Sequence, residues 1–320
     1  MVGFNFSLER VFAALRRDMP DDIDVSVQVV PLRSRGVWRR IVDIAAVSRR
    51  RGAIVHITGD IHFVALGLRK RGTILTVHDC RSPRSTPMRA AAFRALWYRW
   101  PAKRVERIVA ISAFTAAELA RVTGVPIADI AVIPDAIDES FQPQPPAENV
   151  RPTVLCFGQA PNKNADRVIE ALRDLDVELR IVGRLPQATA SLLAASGVRF
   201  VNGVDLSDDE LMQWYAQADV VAFPSLYEGF GMPIVEAQAV GRPVVTSRRA
   251  PMDDVAGGAA VLVDPEDVAS IREGIVRVLS DATFARTLVQ DGFRNRERFR
   301  ARAVAAQYAA MYREVAGEEG

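Results

Sequence analysis

Short apolar runs alternate with amphipathic stretches along the whole chain. In the first half, the runs that predict β-strands are 54–57, 73–78, 107–112 and 130–133. In the second half they are 153–157, 178–182, 198–201, 219–223 and 244–247. Apolar residues between the runs have helical i, i+3, i+4, i+7 spacing, as at Leu8, Val11, Phe12 and Leu15. This alternation predicts an α/β fold in which helices cover parallel sheets.

Helix-start signals and a proline-dense segment divide this pattern further. Thr115 with Glu118, and Ser207 with Glu210, each have the spacing of a capping box, and the helix that starts at Ser207 is predicted to end near Ala218. Residues 142–149 are rich in proline and lack periodicity, which is typical of a linker. The predicted organisation is a domain over 1–141, a linker over 142–150, a second domain over 151–297, and a C-terminal helix and tail over 298–320.

The beginning of the chain departs from the alternating pattern. A doubly wound domain begins with a strand that leads into its first glycine turn. Here only Met1 and Val2 precede Gly3-Phe4-Asn5. We therefore predict that the first strand of the N-terminal domain is missing.

Residues 224–243 carry the clearest chemical signal. An apolar run ends at Pro224, a Gly-Phe-Gly loop follows at 229–231, and Pro233 and Gly241 are placed as a helix start and a helix end. Loop amides and the positive end of a helix suit an anion such as a diphosphate. Glu228 and Glu236 flank that anion site and could accept hydrogen bonds from sugar hydroxyls. The alternative is an ordinary strand–helix turn with two surface glutamates.

The segment resembles the signature of the retaining family 4 glycosyltransferases, in which two glutamates are separated by seven residues. Further similarity to this family lies in five segments, which are Arg107–Ser112, Val132–Ile137, Gly158 with Lys163-Asn164, Ile181–Gly183 and Ala256–Pro265. The resemblance implies the GT-B fold, in which two Rossmann-like domains face each other across a cleft. It also implies that the C-terminal helix packs back on the N-terminal domain.

The resemblance implies a donor site in the second domain for a nucleoside diphosphate sugar, with Lys163 and Glu228 as catalytic residues. The donor-binding residues are predicted to be Gly158, Gln159, Lys163, Asn164, Gly183, Arg184, Gly203, Val204, Glu228, Gly229, Phe230, Gly231 and Glu236. Because negative charge accumulates on the departing phosphate, catalysis needs a cation there, and Lys163 follows a strand and a turn as that role requires. Glu236 is expected to bind the ribose and Glu228 the donor sugar. Gln159 stands where the family commonly has arginine, and Arg184 is the candidate substitute.

For the first domain, the resemblance implies that His78, which follows a strand, lies against the transferred sugar and has a catalytic role. The predicted acceptor side comprises Gly3, Asn5, His56, Asp60 and Asp79. All three histidines lie between 56 and 78, but their spacing matches no known metal-ligand motif. We therefore expect no metal and no cofactor other than the nucleotide-sugar substrate.

Charge is distributed unevenly along the 320 residues. The net charge is +2, yet residues 1–140 alone carry an excess of basic residues. Many of these lie in 81–107, with Trp97, Tyr98 and Trp100 between them, which suits an anionic membrane or a lipid-linked phosphate acceptor. Single-stranded nucleic acid is the other physical option, but the chain has no nucleic-acid motif. The plain alternative is a solvated helix with tryptophans in the core.

These features lead to one principal expectation and two rivals. The principal one is a retaining, metal-independent glycosyltransferase acting on a glycan or lipid-linked acceptor in polysaccharide or glycolipid synthesis. With only Cys80 and Cys156, no disulfide framework is indicated, and a cytoplasmic, peripheral membrane location is expected. One rival is a non-catalytic GT-B subunit that binds nucleotide sugars or supports an active partner. A nicotinamide dehydrogenase is the weaker rival because no Gly-x-Gly-x-x-Gly follows a strand.

Overall fold

The computed structural model describes residues 6–30, 37–48, 53–81, 86–146 and 148–317. The chain divides into two compact units. The first unit contains the described residues up to Ala136 together with Ala301 onwards, and the second unit is Ile137–Arg300. The chain therefore passes between the units at 136–137 and again at 300–301. The segment predicted as a linker, 142–150, belongs to the second unit, where Gln144 N donates to Val240 O at 3.0 Å.

The sheet of the first unit has four parallel strands in the order β1-β2-β3-β4. The strands are β1 Val55–Ile57, β2 Thr73–Val77, β3 Arg107–Ala110 and β4 Ile130–Val132. Every residue of β2 is buried, as expected for a parallel strand that is covered on both faces. The prediction of a missing first strand falls on residues 1–5, which lie outside the described residues.

The sheet of the second unit has six parallel strands in the order β10-β9-β8-β5-β6-β7. The strands are β5 Thr153–Phe157, β6 Glu178–Val182, β7 Arg199–Gly203, β8 Val220–Phe223, β9 Val244–Ser247 and β10 Val261–Val263. The sheet starts in its middle with β5, grows to β7 on one side, and then reverses to β8 on the other. This is the Rossmann order, and the carboxyl edge between β5 and β8 is its topological switch point.

Helices connect the strands in both units, so the predicted parallel α/β architecture is confirmed. In chain order the helices are α1 Phe6–Arg17, α2 Val37–Ser48, α3 Pro87–Arg94, α4 Trp100–Lys103, α5 Ala113–Thr123, α6 Ala165–Ala171, α7 Gln187–Ala195, α8 Asp208–Ala216, α9 Met232–Val240, α10 Met252–Ala256, α11 Val268–Ser280, α12 Ala282–Asn295 and α13 Ala301–Ala316. A π-helical turn, Ala95–Arg99, joins α3 to α4. Within the first unit, α13 packs against α1.

The two predicted capping boxes had different outcomes. Ser207 caps α8 as predicted, because its hydroxyl accepts from Glu210 N and the Glu210 carboxylate accepts from Ser207 N. The box at Thr115 was wrong. Helix α5 begins three residues earlier, where the Ser112 hydroxyl accepts from Thr115 N at 3.0 Å. Strand β3 ends at Ala110, two residues before Ser112, so Ser112 lies outside the strand and caps the helix.

Candidate functional site

The carboxyl edge of the second sheet brings together two loops, one after β5 and one after β8. Gly158 directly follows β5, and a Cβ there would collide with the side chains of Leu185 and Ile181, so this close packing favours glycine. The β5 loop ends in a 3₁₀ turn at Pro161–Lys163, and Asn164 then adopts φ 62° before α6. Asn164 Nδ2 donates to Pro224 O and Pro265 O, which ties the β5 loop to the loop after β8.

Lys163 and Glu228 form an ion pair across this edge. Lys163 Nζ lies 2.8 Å from Glu228 Oε1, and each side chain is 15% exposed. The ammonium group also lies 4.9 Å from the centre of the Phe223 ring, which is a cation–π distance. The pair is thus held against the end of β8, partly shielded from water.

Two further residues fix the Glu228 carboxylate. Ser225 Oγ donates to Glu228 Oε1 at 2.6 Å, and Asn162 Nδ2 donates to the same oxygen at 3.2 Å. Asn162 Nδ2 also donates to Tyr227 O, and its own Oδ1 is buried without a hydrogen-bond partner. Sequence reasoning assigned no role to Asn162 or Ser225, although both lie beside residues of the recognised motif.

The glycine loop leads directly into α9. Gly231 has φ 115° and is the N-cap residue, and Pro233 is the second helical residue, one position later than predicted. Phe230 is buried and packs edge-to-face on Phe299, with ring centroids 5.4 Å apart. The Phe230 side chain therefore anchors the loop, and any ligand contact from this loop falls to its backbone amides and the positive end of the helix.

Glu236 is the fifth residue of α9. Its side chain is buried, and Tyr215 Oη donates to Glu236 Oε2 at 2.6 Å. Tyr215 was missed by sequence reasoning, since it lies 21 residues away on α8 and no local motif marks it.

The other predicted donor residues lie at the ends of β6 and β7. Gly183 has φ 101°, and a Cβ there would lie 2.7 Å from Gln159 Cβ, so Gln159 packs where only glycine leaves room. Arg184 is 80% exposed at its side chain and lies 3.5 Å from Asp205. Gly203 is buried beside Trp214, and Val204 is exposed. The role of Arg184 as a phosphate cation stays a prediction.

In the first unit, His78 is held between two polar partners. His78 Nε2 lies 3.0 Å from Thr58 O, and Nδ1 lies 3.5 Å from Asp135 Oδ1, an ion-pair distance. Burial disfavours the charged imidazole, but the carboxylate of Asp135 and the carbonyl of Thr58 outweigh it and raise the pKa of His78. The neighbouring Asp79 accepts from Arg81 N at 3.0 Å.

His56 is embedded between strands and the C-terminal helix. Its Nδ1 lies 2.7 Å from Tyr312 Oη, and its Nε2 lies 2.7 Å from Thr76 Oγ1. Burial, with a smaller effect from the charge on His78, lowers the pKa of His56 to about 3. His56 is therefore neutral at ordinary pH.

Asp60 and the third histidine, His62, both contact Trp97. Asp60 accepts from Trp97 Nε1 at 2.5 Å, and His62 Nδ1 lies 3.1 Å from Trp97 O. Within the described residues, no group of three or more His, Cys, Asp or Glu side chains could hold a metal ion. Gly3 and Asn5 lie outside the described residues.

The aromatic residues of the basic segment, 81–107, differ in burial. Trp97 and Tyr98 are buried in the core of the first unit, and Trp97 stacks on Phe93 with centroids 5.2 Å apart. Trp100 is 53% exposed, and Met88 is also exposed. For Trp97 and Tyr98 the alternative of aromatic residues in the core is therefore confirmed, because both rings belong to the buried cluster of the first unit.

Two family models match the chain. The model described as Glycosyltransferase Family 4 matches residues 10–141, and the model described as Glycosyl transferases group 1 matches residues 151–281. An MMP alpha-(1->4)-mannosyltransferase of Mycolicibacterium hassiacum is 32% identical over 224 residues, which are 66% of this chain and 54% of that protein. The O-antigen chain mannosyltransferase B of Escherichia coli is 28% identical over 219 residues, covering 60% of this chain and 56% of that one. The chain thus spans about half the length of these curated relatives.

Solved structures give the same fold. A sucrose-phosphate synthase from Thermosynechococcus elongatus has a TM-score of 0.74 at 20% identity, covering 98% of this chain and 92% of that one. WaaG, a glycosyltransferase involved in lipopolysaccharide biosynthesis, has a TM-score of 0.70 at 16% identity, with 95% of each chain covered. HepE of Anabaena, solved with UDP and glucose, has a TM-score of 0.71 at 17% identity, covering 85% of this chain and 80% of that one.

Two parallel α/β units with these structural neighbours define a protein of the GT-B fold. The two family models together match both halves of the chain. The chain belongs to glycosyltransferase family 4.

Proposed function

We propose that the chain is a retaining glycosyltransferase that moves a sugar from a nucleoside diphosphate to a glycan or lipid-linked acceptor in polysaccharide or glycolipid synthesis. The observation that carries the proposal is the Lys163–Glu228 ion pair, which lies at the switch point of the second sheet. Ligands of open α/β sheets bind at such points. Names of similar proteins support the class, since several are mannosyltransferases and HepE was solved with UDP and glucose.

The proposed reaction breaks the bond between the anomeric carbon and the diphosphate oxygen, which keeps the electron pair. An acceptor hydroxyl oxygen bonds to the same face of that carbon, and its proton passes to the departing diphosphate. Lys163 Nζ and the amides at the start of α9 stabilise the charge that develops on the phosphate. A preorganised cation serves best here, and the contacts of Lys163 with Glu228 and Phe223 support that preorganisation.

Glu228 is proposed to bind hydroxyls of the donor sugar rather than to attack the anomeric carbon. Three donors already converge on its Oε1, from Lys163, Ser225 and Asn162. Such a carboxylate is fixed in place and poorly nucleophilic, which favours same-face transfer over a covalent intermediate. Glu236 is proposed to accept hydrogen bonds from the ribose.

The first unit is proposed to bind the acceptor, with His78 in contact with the transferred sugar. Both ring nitrogens of His78 face protein groups, Thr58 O and Asp135 Oδ1, so neither is aimed at an acceptor hydroxyl. This supports the departing diphosphate as the group that takes the acceptor proton. His56, Asp60 and Asp79 are proposed to shape the acceptor side.

We also propose that the protein acts at the cytoplasmic face of an anionic membrane. Exposed Trp100 and Met88 accompany exposed arginines at 89, 94 and 99, a combination that suits a charged interface. Helix α2 of the same unit exposes Trp38, Ile41 and Val42, at i, i+3 and i+4. No helix among the described residues has the length and hydrophobicity needed to cross a membrane.

A nucleotide panel tests the central claim. We expect UDP, GDP or another nucleoside diphosphate to raise the melting temperature, since a ligand at 100 times its Kd adds about 2.7 kcal/mol of stability. The matching sugar nucleotide should then be consumed in a nucleotide-release assay, with the anomeric configuration read by NMR. Binding without turnover toward any glycan or lipid-linked acceptor, or inversion of the anomeric centre, would contradict the proposal.

A chelator arm tests metal independence. Activity should survive exhaustive treatment with EDTA, because the proposed cations are Lys163 and the amides of a helix end. A strict requirement for added Mg²⁺ or Mn²⁺, reversible on chelation, would show that the phosphate is stabilised in another way.

A further inference from the structure

Tyr215 is fixed on all sides within the second unit. It is the penultimate residue of α8, its side chain is fully buried, and its ring packs against Phe141 and Phe157 with centroid distances of 5.7 and 6.2 Å. Its hydroxyl donates to Glu236 Oε2 at 2.6 Å. The ring therefore has no room to swing its hydroxyl away from the carboxylate.

The backbone of Tyr215 is held as firmly as its ring. Buried Arg242 donates from Nε to Tyr215 O at 3.2 Å and from Nη2 to Ala216 O at 2.6 Å. The same guanidinium donates to Gly241 O, at the end of the helix that carries Glu236, and to Pro145 O. One buried cation thus joins the end of α8 to the end of α9.

A ribose diol binds a carboxylate best when the carboxylate plane is already oriented, because orientation after binding costs conformational entropy. A hydrogen bond from a buried hydroxyl to a carboxylate is charge-assisted and therefore directional. Tyr215 supplies that bond to Glu236 from a ring that cannot rotate out of place.

We propose that Tyr215 is a positioning residue that orients Glu236 to accept the ribose hydroxyls of the donor nucleotide. The inference rests on the proposed function, since it takes Glu236 as the ribose ligand. It adds a residue on α8 to a site whose other members lie in the β5 and β8 loops and on α9.

Tyr215→Phe removes only the hydroxyl and keeps the ring packing. Titration calorimetry with UDP and GDP, and with their 2′,3′-dideoxy forms, should show a selective change. We expect the Kd of the preferred ribonucleotide to rise about tenfold, and that of its dideoxy form to stay within about twofold. Turnover at saturating donor should stay within about threefold of the parent. Thr246→Val is the matched control, because it also removes a buried hydroxyl, one that donates to Phe223 O, without contact to Glu236.

Equal losses for the ribonucleotide and its dideoxy form would make Tyr215 a structural residue only, and no loss for either would also overturn the inference. Should Tyr215→Phe fail to fold, Phe141→Leu loosens the packing that holds the Tyr215 ring and should give a smaller loss with the same selectivity. An equal loss of affinity for the ribonucleotide and for its dideoxy form would then overturn the inference.

Glu236→Gln separates this inference from the proposed function. If this variant binds ribonucleotides as the parent does, the assignment of Glu236 to the ribose fails, and the inference fails with it. If it loses affinity while Tyr215→Phe does not, only the inference fails. In the double variant, the two losses should be clearly less than additive, because both act through one carboxylate.

Discussion

The two units are built from the same kind of parallel sheet, but their strands are ordered differently. In the second unit the order reverses beside β5, so connections leave β5 and β8 in opposite directions and open a crevice at their carboxyl ends. The four described strands of the first unit follow one another in space without reversal. Lys163 and Glu228 of the second unit lie on loops at this edge, whereas His56 of the first unit lies within a strand.

The ionisable side chains of the two units also differ in their surroundings. At the switch point, Lys163 and Glu228 pair with each other and keep part of their surface in contact with solvent. In the first unit, His56 on β1 is packed against Thr76 on β2 and Tyr312 on α13, and it stays neutral. Similar sheets thus leave an ion pair partly exposed in one unit and enclose a neutral histidine in the other.

The largest expected effect tests the switch-point site directly. Lys163→Ala should lower kcat roughly 10²- to 10³-fold, about 2.7–4 kcal/mol, because it removes one preorganised cation at the leaving group. Steady-state kinetics with the preferred donor measure this, and circular dichroism checks the fold. Lys70→Ala, at an exposed lysine of the first unit, is the control and should behave as the parent. A kcat within threefold of the parent would remove Lys163 from the mechanism.

The second prediction concerns the packing that supports that edge. Arg242→Ala should destabilise the second unit by about 3 kcal/mol, because the variant leaves buried carbonyls of Tyr215, Ala216 and Gly241 without their donor. Scanning calorimetry and hydrogen exchange in β8 and α9 measure the loss. Arg294→Ala is the control, since its side chain is largely exposed and pairs only with Asp291 on the same helix. Equal melting temperatures for the two variants would contradict the prediction.

The third prediction uses pH to separate the units. Burial lowers the pKa of both His56 and His62 to about 3, so their stabilising effect is complete above pH 6.5 and declines as the pH falls from there. As the pH falls below 6.5 toward the folded pKa, each of these histidines should lower the free energy of unfolding by about 1.4 kcal/mol for each pH unit. His78 has the opposite sign, because its raised pKa gives stability that is present below pH 6.5 and lost as the pH rises through its folded value.

Hydrogen exchange at pH 7 and pH 5 measures this difference. Amides of β1 and β2 should lose protection at the lower pH more than those of β5 and β8, because all three histidines of the chain lie in the first unit. The double variant His56→Gln/His62→Gln should flatten the response. Greater loss in the second unit would mean that carboxylates there control acid stability.

The smallest effect per residue is expected at the membrane. Each basic side chain near an anionic surface contributes about 1 kcal/mol, so Arg89, Arg94 and Arg99 together should give salt-sensitive binding to anionic liposomes. Changing all three to Gln should weaken sedimentation with such vesicles, and Trp38→Gln tests whether α2 takes part. A triple variant of Arg16, Arg173 and Arg286 to Gln has the same charge change elsewhere and should bind as the parent. Equal recovery of the parent with neutral and anionic vesicles would leave the basic segment as a solvated surface.

Much of the second unit could be predicted from sequence, because its signals are local. The apolar runs at 153–157, 178–182 and 244–247 form strands with the predicted bounds. Ser207 and Glu210 cap α8 through contacts that span three residues. Gly241 adopts φ 83°, a conformation that costs glycine little, and it ends α9 where the pattern placed that end.

Contacts between distant residues escaped prediction, because a sequence pattern carries no information about which side chains meet in space. The fate of Trp97 depended on the core beneath the π-helical turn, and that of His56 on a helix that lies more than 240 residues further along the chain. Tyr215 reached Glu236 only because α8 and α9 pack together. The sequence by itself determined the α/β alternation, the family and the glycine loop that leads into α9. Only the tertiary structure decided which donors bind the same acceptor oxygen and which polar groups are buried. Hydrogen bonding and desolvation depend on neighbours that folding brings together.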